Sequence, residues 1–188
     1  MTTNTVTTPT TLTGDYDLDP THSRIGFGAK HAMVTTVRGQ FTDYTAQVHL
    51  DSENVANSSA RVEIKAASIE TGNADRDAHL RNSDFLEVEA YPTITFVSTS
   101  AESKSDDDFV LHGELTIKGV TKPVSISFEK TGEAQDPWGN FRVGFEGKAK
   151  INRKDWGVNF NAVLEAGGLL VSEKVTLEFD ISAVRRAS

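Results

Sequence analysis

The sequence contains no cysteine. Disulfides, thiolate metal sites and cysteine nucleophiles are thereby excluded, while the redox compartment stays open, because a cysteine-free chain folds in either. Nowhere does the chain reach the ~20 consecutive apolar residues that a membrane-spanning helix requires. A basic excess is also missing: 19 Lys and Arg stand against 27 Asp and Glu, a formal net charge of −8. Phosphate backbones are held by basic patches, and anionic headgroups attract Lys and Arg. Neither nucleic acid nor a membrane surface is therefore expected as the main partner. Residues 1–13, MTTNTVTTPTTLT, carry no basic start, apolar run or small-residue cleavage site, so they read as a disordered Thr-rich tail and point to a cytoplasmic location. Residues 14–188 then form one domain.

Motifs of catalysis are equally sparse. No H-E-x-x-H, G-x-S-x-G or phosphate-loop pattern occurs. Asp15, Asp17 and Asp19 begin like a calcium loop, but Pro20 replaces the turn glycine and no Glu follows at the required spacing. Alternate Asp residues on the outer face of a short strand account for them better, and no metal site is expected.

What the chain has in abundance is alternation. Apolar and polar residues exchange with period two in segment after segment, as in strands with one buried face. Ile25, Phe27 and Ala29 form one such row, and Tyr44, Ala46, Val48 and Leu50 the next. Ala60, Val62, Ile64 and Ala66 follow, then Ile94 and Phe96. Phe109, Leu111, Gly113, Leu115 and Ile117 precede Val124, Ile126 and Phe128. The longest row runs Phe141, Val143, Phe145, Gly147, Ala149, Ile151, and Val175, Leu177, Phe179 and Ile181 complete the set. About eight strands of this kind make a sandwich or a closed barrel. Residues 71–90 depart from the pattern, being rich in Ala, Leu, Asp, Glu and Arg. They predict two short helices over one end of the barrel, with Asn73 capping the first, Ser83 or Asp84 the second, and Pro92 as the stop. Helix is expected only within about 73–89.

The inward rows are apolar, with no Asp, Glu or Lys in mid-row. An eight-stranded barrel is just wide enough to be filled by side chains or to hold one small ligand. The small inward residues Ala29, Ala46, Ala60, Ala66, Gly113, Gly147 and Ala149 incline the balance toward a cavity, since packed cores leave few voids.

Several stretches resemble the YceI-like family of polyisoprenoid-binding, lipocalin-like barrels. They are Asp19-Pro20-Thr21-His22-Ser23-Arg24-Ile25-Gly26-Phe27 with His31, and Val37-Arg38-Gly39-Gln40-Phe41. Thr71-Gly72-Asn73, Arg76-Asp77, His79-Leu80-Arg81, Asp84-Phe85 and Tyr91-Pro92-Thr93-Ile94-Thr95-Phe96 form the longest match. Gly113-Glu114-Leu115-Thr116-Ile117-Lys118-Gly119-Val120-Thr121-Lys122-Pro123-Val124, Ile151-Asn152-Arg153-Lys154-Asp155-Trp156-Gly157 and Val175-Thr176-Leu177-Glu178-Phe179 complete it. The resemblance implies an all-β fold: an extended eight-stranded antiparallel lipocalin-like barrel with short helices between strands. It implies binding, sequestration or transport of a long-chain isoprenoid lipid, a polyprenyl chain or isoprenoid quinone, with no other cofactor and no established enzymatic activity, and it suggests a homodimer. The lipid would then touch Phe27, Ala29, Phe41, Val62, Ile64, Ile94, Phe96, Leu115, Ile117, Ile126, Phe128, Phe145, Ile151, Phe160, Leu177 and Phe179. Many relatives carry a secretion signal and this chain does not; its apolar 162–172 loop is also long.

Head-group candidates are His31, which shares parity with the inward row, then Arg76, His79 and Arg81 in the helical segment, and Arg153 and Trp156 at the opposite rim. Each has a plainer structural reading. The helical segment's charges pair locally at i,i+3 and i,i+4 spacings, and His31 ends a strand. His49 and His112 fall on the outer face, and His22 is a turn partner. The rival function is an enzyme acting on an apolar substrate held in the barrel, with His31 or His79 as acid or base.

Overall fold

A computed structural model describes residues 12–165 and 167–187. Its strands are β1 (Gly14–Leu18), β2 (Arg24–His31), β3 (Thr35–Phe41), β4 (Tyr44–Leu50), β5 (Ser59–Lys65) and β6 (Ile69–Glu70), followed by helix α1 (Ala74–Arg81). The second half adds β7 (Thr93–Ser103), β8 (Asp108–Ile117), β9 (Val120–Gln135), β10 (Phe141–Asn152) and β11 (Val171–Arg185). All pairings between these strands are antiparallel, and a β1–β11 pairing closes the sheet on itself.

Eleven segments make eight barrel strands because three strands are interrupted. β1 and β2 lie in one line along β11, through Tyr16↔Arg185 and Leu18↔Ala183, then Arg24↔Asp180 and Ala29↔Val175. β3 and β4 form a second broken strand, and β5 and β6 a third. Each alternating row read from the sequence falls in a different one of the eight.

The break between β1 and β2 is fixed by its own sequence. Asp19 accepts from the Thr21 N–H at 2.9 Å and from Arg142 Nη1 at 2.7 Å, and pairs with His22 Nδ1 at 2.8 Å. The Ser23 hydroxyl accepts from the Ser182 N–H at 2.9 Å. These bonds replace the ladder that Pro20 and the kink interrupt. The Asp19-Pro20-Thr21-His22-Ser23 stretch is thus a strand joint.

Asn73 caps α1 as expected, its side chain accepting from the Arg76 N–H at 2.9 Å. The second expected helix does not form. After Asn82 the chain folds back through turns, with Leu86 N–H on Leu80 O and Val88 N–H on Arg81 O. Phe85 is buried and Leu86 and Val88 pack against the main core. That spacing offers no single helical face, so tertiary burial overrides the helix propensity of the segment. Asp84 instead pairs with His79, and Pro92 stops nothing. Helical turns also occur outside 73–89, as 3₁₀ segments at Val55–Asn57, Ala66–Ser68 and Arg153–Trp156. Of the expected tail, residues 1–11 lie outside the described residues. Leu12 and Thr13 are held: Tyr16 Oη donates to Leu12 O at 2.8 Å, and the Thr13 and Ser52 hydroxyls lie 3.1 Å apart.

Apolar residues point inward and charged residues outward, the reverse of a membrane-spanning β-barrel. Among the described residues no helix is long and apolar enough to cross a membrane.

Candidate functional site

The inward faces of the barrel enclose a cavity of about 270 Å³, lined from one end to the other by apolar side chains. Val48, Leu50 and Ala60 line it near the β4–β5 connection, and Leu80, Phe85, Leu86, Val158 and Val171 near α1. Inward residues such as Phe27, Phe41, Phe128, Leu177 and Phe179 are only half-buried although they face the interior. Their residual surface is the wall of the lumen, so the barrel is hollow.

Of the side chains expected to contact ligand, Phe27, Ala29, Phe41, Val62, Ile64, Ile94, Phe96 and Leu115 all line the cavity. So do Ile117, Ile126, Phe128, Phe145, Ile151, Leu177 and Phe179. Phe160 does not. It packs edge-to-face on His79 at 4.7 Å and tilted on Phe85 at 5.1 Å between ring centroids, beside α1 at the end of the barrel. The glycines also need correction as makers of space. A Cβ on Gly147 would sit 2.4 Å from the Phe128 ring, and one on Gly113 would sit 2.4 Å from Phe96. The same holds for Gly39 beneath Phe27. These glycines let aromatic rings lie flat across the neighbouring strand. Phe128 in turn stacks on Phe109, 5.5 Å away at 16°.

The head-group candidates are engaged by the protein itself. Arg76 Nε donates to Thr71 Oγ1 at 2.7 Å, and its Nη2 to Thr71 O at 2.9 Å. Arg81 donates to Ala67 O and Ile69 O, both at 2.8 Å. Asp77, buried, accepts from both the N–H and the hydroxyl of Thr71, the latter at 2.6 Å. His79 Nε2 pairs with Asp84 Oδ2 at 2.8 Å. This network pins α1 to the rim.

Arg153 and Trp156 both line the cavity, and both are buried. Arg153 donates to Val158 O at 2.7 Å, Ser172 O at 2.9 Å and Val171 O at 3.2 Å. Burial pulls its pKa below the ordinary guanidinium value, with Glu173 opposing. A guanidinium stays charged nonetheless, and carbonyl oxygens satisfy it. Trp156 Nε1 donates to Leu115 O at 2.9 Å. These two residues are not at the opposite rim: Phe160, close behind them in sequence, touches both His79 and Phe85. Strand direction could have revealed this. Residues 71–92 follow the third barrel strand and 153–170 the seventh, and in an up-and-down barrel all odd-numbered connections share one end.

His31 also departs from expectation. It is exposed, absent from the cavity wall, and ends β2 opposite Thr35 and Val171. Its parity with Ala29 holds along the β3 ladder, but as the last residue of β2, where two extra β11 residues bulge the opposite pairing, it lies beyond the end of the cavity. His49 pairs with Asp15 and His112 with Ser125 and Glu102, on the outer face.

The cavity thus sits in a frame of fixed motifs, and those motifs identify its kin. A family model described as the YceI-like domain matches residues 16–183. The chain belongs to the YceI-like domain family. A UPF0312 protein of Photorhabdus laumondii is 41% identical over 148 residues, 79% of this chain and 76% of that protein. A UPF0312 protein of Azotobacter vinelandii is 38% identical, over 78% of each chain. Among solved structures, the Campylobacter jejuni YceI protein superposes with a TM-score of 0.73 at 30% identity, covering 84% of this chain and 90% of that one. Burkholderia cenocepacia BcnA, at 24% identity, has a TM-score of 0.78 over 88% of this chain and 98% of that one. A polyisoprenoid binding domain from Saccharophagus degradans, at 16% identity, has a TM-score of 0.68 over 91% and 98%. At these two identities the likeness is one of fold. The YceI-like motifs Asp19-Pro20-Thr21-His22-Ser23, Thr71-Gly72-Asn73 and Asn152-Arg153-Lys154-Asp155-Trp156 now have a common explanation. Each supplies the hydrogen bonds of a joint or a rim, while the cavity wall is built from the alternating rows.

Proposed function

We propose that this protein holds a single long isoprenoid chain, a polyprenyl lipid or an isoprenoid quinone, in the barrel lumen, and carries or shields it without transforming it. The observation that carries the reading is the chemistry of the wall. Polar residues border it only at its ends, Ser58, Ser59 and the outward-facing His49 by the β4–β5 connection and Arg153 by the α1 end. His49 pairs with Asp15, Ser58 Oγ accepts from the Asp51 N–H, and Arg153 is spent on carbonyls. Among the described residues no buried side-chain nitrogen or oxygen lacks a hydrogen-bond partner. A ligand in this lumen gains its affinity from apolar burial.

Shape narrows the class. At about 270 Å³ the cavity falls just below the ~300–1,000 Å³ of typical small-molecule sites, yet it runs the length of the barrel. It suits one slender chain. Ala29, Ala60 and Ala101 interleave with Phe27, Phe96 and Phe128 in the wall, giving an uneven bore that a methyl-branched chain fills more closely than a straight one. The Saccharophagus degradans domain, described as polyisoprenoid-binding, lends support through the shared fold alone. Of the enzyme alternative's two acid–base candidates, His31 is exposed and off the cavity wall, and His79 has its Nε2 held by Asp84 and its ring between Phe85 and Phe160. The test is solvent extraction of the purified protein with mass spectrometry, before and after incubation with added polyprenol. Recovery of an unchanged isoprenoid chain is expected. A protein that takes up none, or converts it to product, would overturn the proposal.

A further inference from the structure

The connections at the α1 end of the barrel include the β2–β3 hairpin tip, residues 32–34, which projects two aliphatic side chains. Met33 is 67% exposed and Val34 76%. Beside them Val163, 81% exposed, stands on the 162–170 loop. Tip and loop are joined: the Ala32 N–H donates to Leu170 O at 2.8 Å, and a Cβ on Gly168 would lie 4.0 Å from Met33 Cγ. The turn itself is costly. Val34 N–H closes it onto His31 O, with Ala32 at φ 51° and Met33 at φ 62°. A turn whose two central residues are both left-handed favours Asn-Gly strongly, so Ala-Met there sacrifices local stability to place a methionine at the apex.

Behind the tip lies an outer groove of about 660 Å³ across β3, β2, β11 and β10. Gly28 forms part of its floor, and Lys30, Arg38, Lys150 and Lys174 stand around it. None of these four cations forms an ion pair among the described residues, whereas the groove's two acids are both paired, Glu173 with Lys154 and Glu178 with Arg24. Acids of the same end, Asp75, Asp84, Glu87, Glu89, Asp155 and Glu165, stand outside the groove, and others collect at the far end. The far-end connections carry Asp51, Glu53, Asp106, Asp107 and Asp136. With strands of this length, tilted as in a barrel, the two ends are about 30 Å apart, several Debye lengths at physiological salt. The groove beside the tip is thus locally basic in a chain whose net charge is −8.

We infer that the end bearing residues 32–34 docks on a lipid bilayer that contains anionic headgroups, Met33, Val34 and Val163 entering the interface while Lys30, Arg38, Lys150 and Lys174 meet the headgroups. Charge complementarity and shape select this occupant. Stable protein interfaces bury roughly 800 Å² per partner with a packed core, and a protruding aliphatic apex with a basic collar offers a bilayer surface more than it offers a flat partner. The use of such docking, loading of the lumen from a membrane, rests on the proposed carrier function; the docking does not.

The experiment is co-sedimentation of the whole protein with phosphatidylcholine vesicles prepared with and without phosphatidylglycerol. Binding is expected only when phosphatidylglycerol is present, and it should fall as salt rises. At roughly five-fold per basic residue near an anionic surface, Lys150→Gln with Lys174→Gln should weaken binding roughly 30-fold. Ala32→Asn with Met33→Gly supplies the preferred turn, so it should melt no lower than wild type and still bind vesicles several-fold more weakly. Binding to neither vesicle, or binding indifferent to both variants, overturns the inference. So does a wild-type dimer that the turn variant converts to monomer without any vesicle binding, which would assign the face to a second copy. Uptake of detergent-solubilised polyprenol, measured on the same proteins, should be unchanged; its failure in wild type would instead count against the carrier function.

Discussion

Replacing Ala60 with Leu separates a lumen from a packed core. Ala60 is half-buried, lines the cavity on β5 and faces inward between Val62 and the β4–β5 connection. If the space before it is empty, three added carbons remove apolar surface from water at about 0.8 kcal/mol each, some 2.4 kcal/mol in all. Fixing the new side chain returns roughly 0.5–1 kcal/mol, leaving about 1.5 kcal/mol of stabilisation in the unliganded protein. For a domain of this size that is a rise of about 3–6 °C in melting temperature. The same three carbons displace ligand carbons, so affinity for a chain that fills the lumen should fall by roughly 2 kcal/mol, or about 30-fold. Scanning calorimetry of delipidated protein and titration with a fluorescent polyprenol give both numbers. A variant destabilised by the ~1–3 kcal/mol typical of overpacking, with ligand binding unaltered, would refute the reasoning and show a filled core.

Phe128→Asp should abolish ligand retention and most folding, since an unpaired charge inside the barrel costs several kcal/mol against a total margin of about 5–15; soluble, loaded variant protein would contradict the inward placement. Gly147→Val should displace the Phe128 ring that lies across it and lower the unfolding midpoint in urea, with near-ultraviolet circular dichroism reporting lost aromatic packing. Asp77→Ala should cost about 1.5–3 kcal/mol, because it strips a charged acceptor from two Thr71 bonds and leaves α1 loosely attached, visible as faster amide exchange over 74–81. Acid should act through Arg142. Its hydrogen bond, with that of His22, holds the Asp19 carboxyl well below the usual carboxylate range. At Asp136, desolvation works the other way but is outweighed by bonds from Asn140, Arg142 and the Trp138 N–H, which bring it to about 2. Both folded pKa values are depressed, so this stabilisation is complete above the ordinary carboxylate pKa and is lost as pH falls from about 4 through the folded values. Stability measured across that window should drop in wild type and drop less in Arg142→Met.

Most of the barrel was legible in the sequence because period two is a local signal that the buried interior reinforces in each strand. What escaped was set by contacts distant in sequence. β3 carries Gly39 where an apolar residue would have extended its row, and the reason is the Phe27 ring across it. The second helix was lost because Phe85, Leu86 and Val88 are worth more in the core than in a helical turn. Parity placed the lining residues of the uninterrupted strands well, but it does not say where a strand leaves the cavity, as β2 does at His31, and it does not reach Phe160, which lies beyond any strand. The polar candidates were found as a group, yet their partners, Thr71 for Arg76 and the Val158, Val171 and Ser172 carbonyls for Arg153, are visible only once the chain is folded.

The central claim is that affinity resides in the apolar lumen, and a titration of delipidated protein with polyprenols of increasing length tests it most directly. At about 25 cal/mol per Å² of buried apolar surface, each added isoprene unit should tighten binding by well over tenfold, less the cost of ordering the chain, until the lumen is full and the curve levels. His31→Ala should leave that series almost unchanged, since His31 stands outside the cavity wall. Affinity that is flat with chain length, but lost in a well-folded His31→Ala protein, would contradict the account and place recognition in a polar head group.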